Sequence, residues 1–266
     1  MSPDGAIRFA KAEANGNDFL IVDAAAVTAA ARADFARRVC DRHRGVGADG
    51  VEFVKSRGSG FELTLFNADG SEAEISGNGT RCVAAFYARH GFRSGALLTG
   101  AGARRATVID GAGAFWQIEV ELGAPQLEET VDLAVLGRTV RAQILSVGNP
   151  QCIVATSEFP PDWQALGAAL ATHPRFPHHT NVAFVRALGK HHIEIRIFER
   201  GVGPTASSGT GCSASAVAAI AQGLVDSPVE VTTPGGNQKV IWPGGSSPIH
   251  LIGPATILAE GIFLWP

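Results

Sequence analysis

Two short segments carry the residue types from which a small-molecule site is built. Ser76-Gly77-Asn78-Gly79 stands before CVAAFYA, and Ser208-Gly209-Thr210-Gly211 stands before CSASAVAAIA. A Ser-Gly-x-Gly that opens a buried helix presents backbone N–H groups without intrahelical partners, and its glycines let a ligand come close. The helix dipole adds positive potential at the same point, so each turn suits a carboxylate or a phosphate. Neither copy ends in G-K-[ST], which excludes a Walker A loop, and neither lies in a G-x-S-x-G elbow. Taken singly, each motif reads equally well as a Ser-capped helix start, a cap worth about 1 kcal/mol. Their pairing gives them a functional meaning.

The two serines lie 132 residues apart in a chain of 266. Gly16-Asn17 in NGNDF and Gly148-Asn149 in GNPQC keep the same spacing, as do Phe66 and Phe198. Matches in one ungapped register indicate an internal duplication, and in a duplicated protein two helix starts are expected to converge on one small anion. Polar residues gather near both copies. Asn17, Asn67, Asn149 and Asn181 stand at strand ends or turns in apolar stretches, and Glu199-Arg200 closes a strand before the second motif. Arginine forks onto a carboxylate, while asparagine both donates to one and accepts from an ammonium. Each alone also reads as a turn residue or a surface ion pair. Together they outline a pocket for a zwitterion, of which an amino acid is the simplest.

These residues need elements to hold them. Apolar, β-forming runs bounded by glycine predict strands at 19–25, 50–54, 61–67, 106–110 and 115–122. The second half repeats the style at 142–147, 152–156, 181–187, 192–199, 229–233, 238–242 and 249–253. Helices are predicted at 32–42 and at 162–173, the latter capped from the Pro160-Pro161-Asp162 turn. Two more, at about 79–91 and 211–223, follow the paired motifs; they are rich in alanine and valine and should be buried. GAPQLEE (123–129) has the composition of a connector.

Composition bounds the function. Hydrophobic residues make up 45% and charged residues 18%, enough for a core and too apolar for disorder. A net charge of −3 argues against nucleic acid or anionic membrane as a partner. No apolar run approaches a membrane span, and the start Met1-Ser2-Pro3-Asp4-Gly5 lacks the character of a secretory leader. Cys40, Cys82, Cys152 and Cys212 form no C-x-x-C and read as free buried thiols in a reducing cytoplasm. The eight histidines, His178-His179 and His191-His192 among them, lack metal-ligand spacing, so no metal is expected.

In order along the chain, NGNDFLIVD (15–23), CDRHRGVGADG (40–50), FNADGSEAEISGNGTRC (66–82), GNPQC (148–152), TNVAFV (180–185), ERGVGPTASSGTG (199–211) and EGIFL (260–264) resemble the signature blocks of bacterial diaminopimelate epimerases. The resemblance runs from about Phe9 to Leu264. It implies an α/β (α+β) fold of two pseudo-symmetric domains, each a β-barrel-like sheet around a central helix. The expected division is 1–122 plus 258–266, and 123–257, with the C-terminal strand returning to the first domain. It further implies a cytoplasmic epimerase of lysine and peptidoglycan-precursor biosynthesis, with an amino-acid substrate, no pyridoxal phosphate or other cofactor, and a homodimer. In that family one thiolate removes the α-proton, a thiol on the opposite face returns one, and two helix N-termini hold the α-carboxylate. Carried over by position, Gly77, Asn78, Gly209 and Thr210 are the anion-cradling turns. Asn17, Asn67, Asn149, Asn181 and Arg200 match substrate-gripping positions, and Glu199 an acidic residue beside the catalytic pair.

The departures fall at the chemistry. The two catalytic thiol positions are Ser76 and Ser208, and the histidine of the family's G-N-P-H-C block is Gln151. Cys82 and Cys212 lie too far along their helices to substitute. A helix N-terminus can bring a thiol toward neutrality, whereas a serine hydroxyl is a far weaker acid, so two-thiol epimerisation should be crippled. Three readings follow: an epimerase whose thiols were replaced by near-isosteric serine, a natural relative using the cradle for other chemistry with Glu199 or water as base, or a binding protein.

Overall fold

Parallel strands must be joined by a crossover of a dozen residues or more, and such crossovers carry the helices of this chain. The computed structural model describes residues 5–265; Met1–Asp4 of the start read above lie outside them. Two compact units are formed, one of Met1–Val120 and Gly253–Pro266, the other of Glu121–Ile252.

The first unit begins with the hairpin β1 (Ala6–Ala14) and β2 (Asn17–Asp23). Helix α1 (Arg32–Val39) crosses to β3 (Gly50–Arg57), parallel to β2, and β4 (Gly60–Asn67) turns back antiparallel. After the short β5 (Glu72–Ala73), helix α2 (Gly77–Ala88) crosses to β6 (Ser94–Thr99), parallel to β4; β7 (Gly102–Ala112) and β8 (Phe115–Glu121) continue antiparallel. The second unit holds β9 (Gln126–Val135), β10 (Arg138–Ser146), β11 (Pro150–Ala155), α3 (Trp163–Ala171), β12 (Asn181–Gly189), β13 (His192–Glu199), β14 (Gly203–Thr205), α4 (Gly209–Ala221), β15 (Val229–Thr233) and β16 (Gly236–Ile241). The last strand, β17 (His250–Leu264), starts on β16 and ends on β1. Its pairing with β8 closes the circuit β1-β2-β3-β4-β6-β7-β8-β17 into an eight-stranded barrel.

The duplication is visible in the ladder order. Antiparallel β1–β2, parallel β2–β3, antiparallel β3–β4 and parallel β4–β6 recur as β10–β11, β11–β12, β12–β13 and β13–β15. The fold is mixed α+β, as the sequence implies. Each unit has a helix on either face of its sheet. On β3, Val51 and Phe53 pack with Phe35, Ala36 and Val39 of α1. The intervening Gly50 and Glu52 point to the other face, since side chains alternate along a strand. Helix α2 lies on that inner face, buried through Cys82–Ala85. Enclosure by strands leaves no solvent-facing side for a helix to show, which is why its residues are mostly small and apolar. In the second unit α3 packs Leu166 and Leu170 on Ile144, Cys152 and Phe184, while α4 is buried from Gly209 to Ala219.

Three expectations need correction. The motif helices begin at Gly77 and Gly209, two residues before the predicted 79 and 211, because Ser76 and Ser208 are extended N-caps and the glycines already take helical geometry. The stretch 123–129 is more than a connector: β9 starts at Gln126, and a two-residue turn with positive φ at Leu136 and Gly137 hairpins it to β10. Asp162 does cap α3 by position, but without a side-chain cap bond, since its carboxylate pairs with Arg138 at 2.7 Å. The four cysteines are buried and free, as expected. No helix among the described residues is long and apolar enough to cross a membrane.

Candidate active site

Each Ser-Gly-x-Gly turn builds the same half-site. In the first, Ser76 Oγ accepts the Gly79 N–H at 3.0 Å, and Ser76 O accepts the Thr80 N–H at 2.9 Å. In the second, Ser208 Oγ accepts the Gly211 N–H at 3.3 Å, and Ser208 O accepts the Cys212 N–H at 2.8 Å. The first N–H groups of a helix have no intrahelical acceptor, so those of Gly77 and Asn78, and of Gly209 and Thr210, are left for a ligand. Two aligned N–H donors at the positive end of a buried dipole are an anion cradle.

An asparagine from a neighbouring strand end steadies each cradle with the same spacing in sequence. Asn78 Nδ2 donates to Asn17 Oδ1 at 3.2 Å, and Asn149 Nδ2 donates to Thr210 Oγ1 at 3.3 Å. Around these pairs the half-sites diverge. In the first unit Asn17 Nδ2 donates to Asp49 Oδ2 at 2.6 Å, and Arg42 bridges Asp49 and Asp18 at 2.9 and 2.8 Å. Burial pushes the Asp18 carboxyl up, but Arg42 and Lys11 together hold it below the usual range. In the second unit Gln151 Nε2 donates to Asn149 Oδ1 at 2.7 Å, while the buried Gln151 Oε1 has no partner. Ser208 Oγ donates to Glu199 Oε2 at 3.3 Å. Gln151, Asn149, Thr210, Ser208 and Glu199 thus form one chain of polar contacts ending on a carboxylate.

The other sequence-selected residues are less directly joined to the turns. Asn181 donates Nδ2 to Pro150 O at 3.1 Å and accepts the Arg200 N–H at 3.0 Å. The Arg200 guanidinium is exposed and donates to His178 O at 3.3 Å. Asn67 is exposed at the end of β4, with its amide on Ser71 Oγ at 3.0 Å. Three of the cysteines are held as neutral thiols by burial. Burial raises Cys40 and Cys152 to about 12, and Cys82 further still.

Two residues were missed. Arg81, fully buried on α2, donates Nη2 to Asn78 Oδ1 at 2.8 Å and to Asn15 Oδ1 at 2.9 Å, and Nη1 to Gly77 O at 3.4 Å. It fixes the first turn from within. Glu52 is 1% exposed on the inner face of β3. Its Oε1 lies 2.2 Å from where a Cβ on Gly79 would stand, and its Oε2 has no hydrogen-bond partner. Burial alone pushes its carboxyl up to about 8. The signal for Glu52 was available in the duplication. GVEFV (50–54) and NVAFV (181–185) are matching strands, with Phe19 facing Gly50 in one and Gln151 facing Asn181 in the other, so Glu52 stands where the second copy has buried Ala183.

Chemically, a turn that binds a carboxylate also stabilises the charge that flows into it when the adjacent C–H bond breaks. A serine whose hydroxyl serves as a cap contributes shape and a hydrogen bond. Burial brings the Glu52 carboxyl to about 8, a range in which both of its forms are populated near neutral pH.

Comparison with known proteins gives the family. The family model described as "Diaminopimelate epimerase" matches residues 9–128 and 144–258. The chain is 35% identical to a diaminopimelate epimerase of Ectopseudomonas mendocina (strain ymp), over 96% of this chain and 98% of that protein. It is 33% identical to one of Teredinibacter turnerae (strain ATCC 39867 / T7901), with the same coverages. Among solved structures, a phenazine biosynthesis protein of the PhzF family from Bacillus anthracis shares the fold with a TM-score of 0.74, at 18% identity, over 97% of this chain and 98% of that one. On these matches the chain belongs to the diaminopimelate epimerase family of isomerases.

Proposed function

We propose that this chain is a cofactor-independent isomerase that moves the proton at Cα of a diaminopimelate-class amino acid, interconverting LL- and meso-diaminopimelate. In each unit the first-turn N–H groups, those of Gly77 and Asn78 in one and of Gly209 and Thr210 in the other, are the donors offered to a substrate carboxylate. The Cα proton of an amino acid is weakly acidic, so the negative charge left on its removal must be spread into that carboxylate and held there. The observation that carries the reading is the cradle built twice, 132 residues apart, with the same serine cap and the same Asn partner, in a member of this family. Ser76 and Ser208 shape the turns, and Glu199, hydrogen-bonded to Ser208, is the base of the second half-site. Asn149 and Gln151 hold Thr210 in place; Asn17, Asn67, Asn181 and Arg200 take the distal ammonium and carboxylate.

Gln151 and the paired serines favour a second reading, in which the same cradle serves another cofactor-free proton shift, such as an isomerisation, dehydration or cyclisation of a related acid. Incubation with LL- or meso-diaminopimelate in D₂O separates the two. Loss of the Cα proton signal faster than in buffer, with appearance of the other stereoisomer, supports epimerisation. Exchange without interconversion favours the second reading. Binding by calorimetry with no exchange overturns both and leaves a binding protein.

A further inference from the structure

We propose that Glu52 is a second acid–base residue of this reaction, carrying the proton at the α2 half-site where Ser76 cannot. The inference rests on the reading of the chain as a proton-transfer isomerase. Three observations place Glu52 in that role. Its carboxyl enters the first turn of α2: Oε1 and Ser76 Cβ lie 2.2 and 3.2 Å from the same point, the Cβ position of Gly79. The side chain is 1% exposed, and its Oε2 has no hydrogen-bond partner. A buried polar atom without a partner is costly, and native proteins keep one where function asks for it. The matching strand of the second unit has Ala183 there, so the fold itself does not need a carboxyl.

The step balances on the groups present. With Glu52 ionised, the substrate Cα–H bond breaks and an O–H bond forms on Glu52. The C–H electron pair moves into the substrate carboxylate, whose oxygens face the Gly77 and Asn78 N–H groups. In reverse, protonated Glu52 gives its proton to carbon and the pair returns to a C–H bond. Burial supports the assignment by bringing the carboxyl to about 8, so both forms are populated near neutral pH. Arg81 on α2, Glu13 on β1 and Asp18 on β2 act together with Glu52 on Cys82, but burial alone moves Glu52.

Glu52→Gln keeps the size of the neutral acid and removes the proton. Exchange of meso-diaminopimelate in D₂O is followed for wild type, Glu52→Gln and Glu52→Asp, with folding checked by circular dichroism and binding by calorimetry. The expected result is a wild-type rate that rises with pH to a midpoint near 8. Glu52→Gln should lose at least ~100-fold in rate and the midpoint with it, with binding unchanged within about 3-fold, and Glu52→Asp should lose roughly 10-fold. Wild-type exchange matched within about 3-fold by folded Glu52→Gln, or by Glu52→Asp if the first variant does not fold, overturns the role of Glu52 and leaves the proposed function standing. No exchange by the wild type overturns both.

Discussion

Glu52→Gln should make the protein more stable, and increasingly so as pH rises. In the folded chain burial holds the Glu52 carboxyl at about 8, against an ordinary value of 4.5. A folded state with the higher pKa binds its proton more tightly than the unfolded state does. Below about 4.5 both states are protonated and ionisation of the group does not change stability. Between 4.5 and 8 the unfolded chain gives up its proton while the folded chain keeps it, so stability falls; above 8 the loss is complete. At 1.36 kcal/mol per unit, this interval amounts to about 5 kcal/mol. Glutamine has no proton to lose, so the difference between variant and wild type should grow from near zero at pH 4.5 to about 4–5 kcal/mol at pH 8. In melting temperature this is roughly 10–15 °C. Urea denaturation of both proteins across pH 4.5–9, followed by circular dichroism, measures the difference directly and cancels the other titrating groups. A difference that stays flat within about 1 kcal/mol would refute the burial of an unpartnered carboxyl on which the argument depends.

Other predictions address the cradles. Gly79→Ala puts a methyl group 2.2 Å from Glu52 Oε1, whereas Gly211→Ala meets nothing nearer than 3.2 Å. Thermal denaturation should therefore show Gly79→Ala losing about 1–3 kcal/mol more than Gly211→Ala, and equal effects would contradict the placement of Glu52. Ser76→Cys combined with Ser208→Cys puts a thiol at each helix N-terminus, where its pKa is lowered. Exchange of diaminopimelate in D₂O should rise at least ~10-fold, and no change in a folded double variant would point away from epimerisation. Arg81→Met removes the guanidinium that donates to Asn15 Oδ1, Asn78 Oδ1 and Gly77 O. Denaturation should show a loss of about 3–5 kcal/mol, and Arg81→Lys should recover little of it because an ammonium lacks the planar fork.

Much of this architecture was legible because duplication doubles every signal. One Ser-Gly-x-Gly is an ordinary capped helix start, but two in register identified α2 and α4 as equivalent, and set Asn17 and Asn149 at the same spacing. What remained hidden was decided by facing. Glu52 lies in VEFV, a run that reads as a strand with its charge turned to water. Its apolar neighbours Val51 and Phe53 are taken up by α1, so the alternate face, with the glutamate, turns to α2. Arg81 was passed over because a single arginine in an apolar helix looks like a solvent-facing position; the oxygens of Asn15, Asn78, Gly77 and Pro254 that accept from it make its burial tolerable. The strand β9 was missed because its exposed polar residues follow a connector-like Gly-Ala-Pro.

The central claim is that the open N–H groups of the motif turns take a substrate carboxylate. Titration of the ¹⁵N-labelled protein with meso-diaminopimelate, read by amide ¹H–¹⁵N correlation spectra, tests it directly. Saturable downfield shifts concentrated at Gly77, Asn78, Gly209 and Thr210 are the predicted result. Saturable shifts that leave these four amides unmoved, or no binding at millimolar ligand, would contradict it.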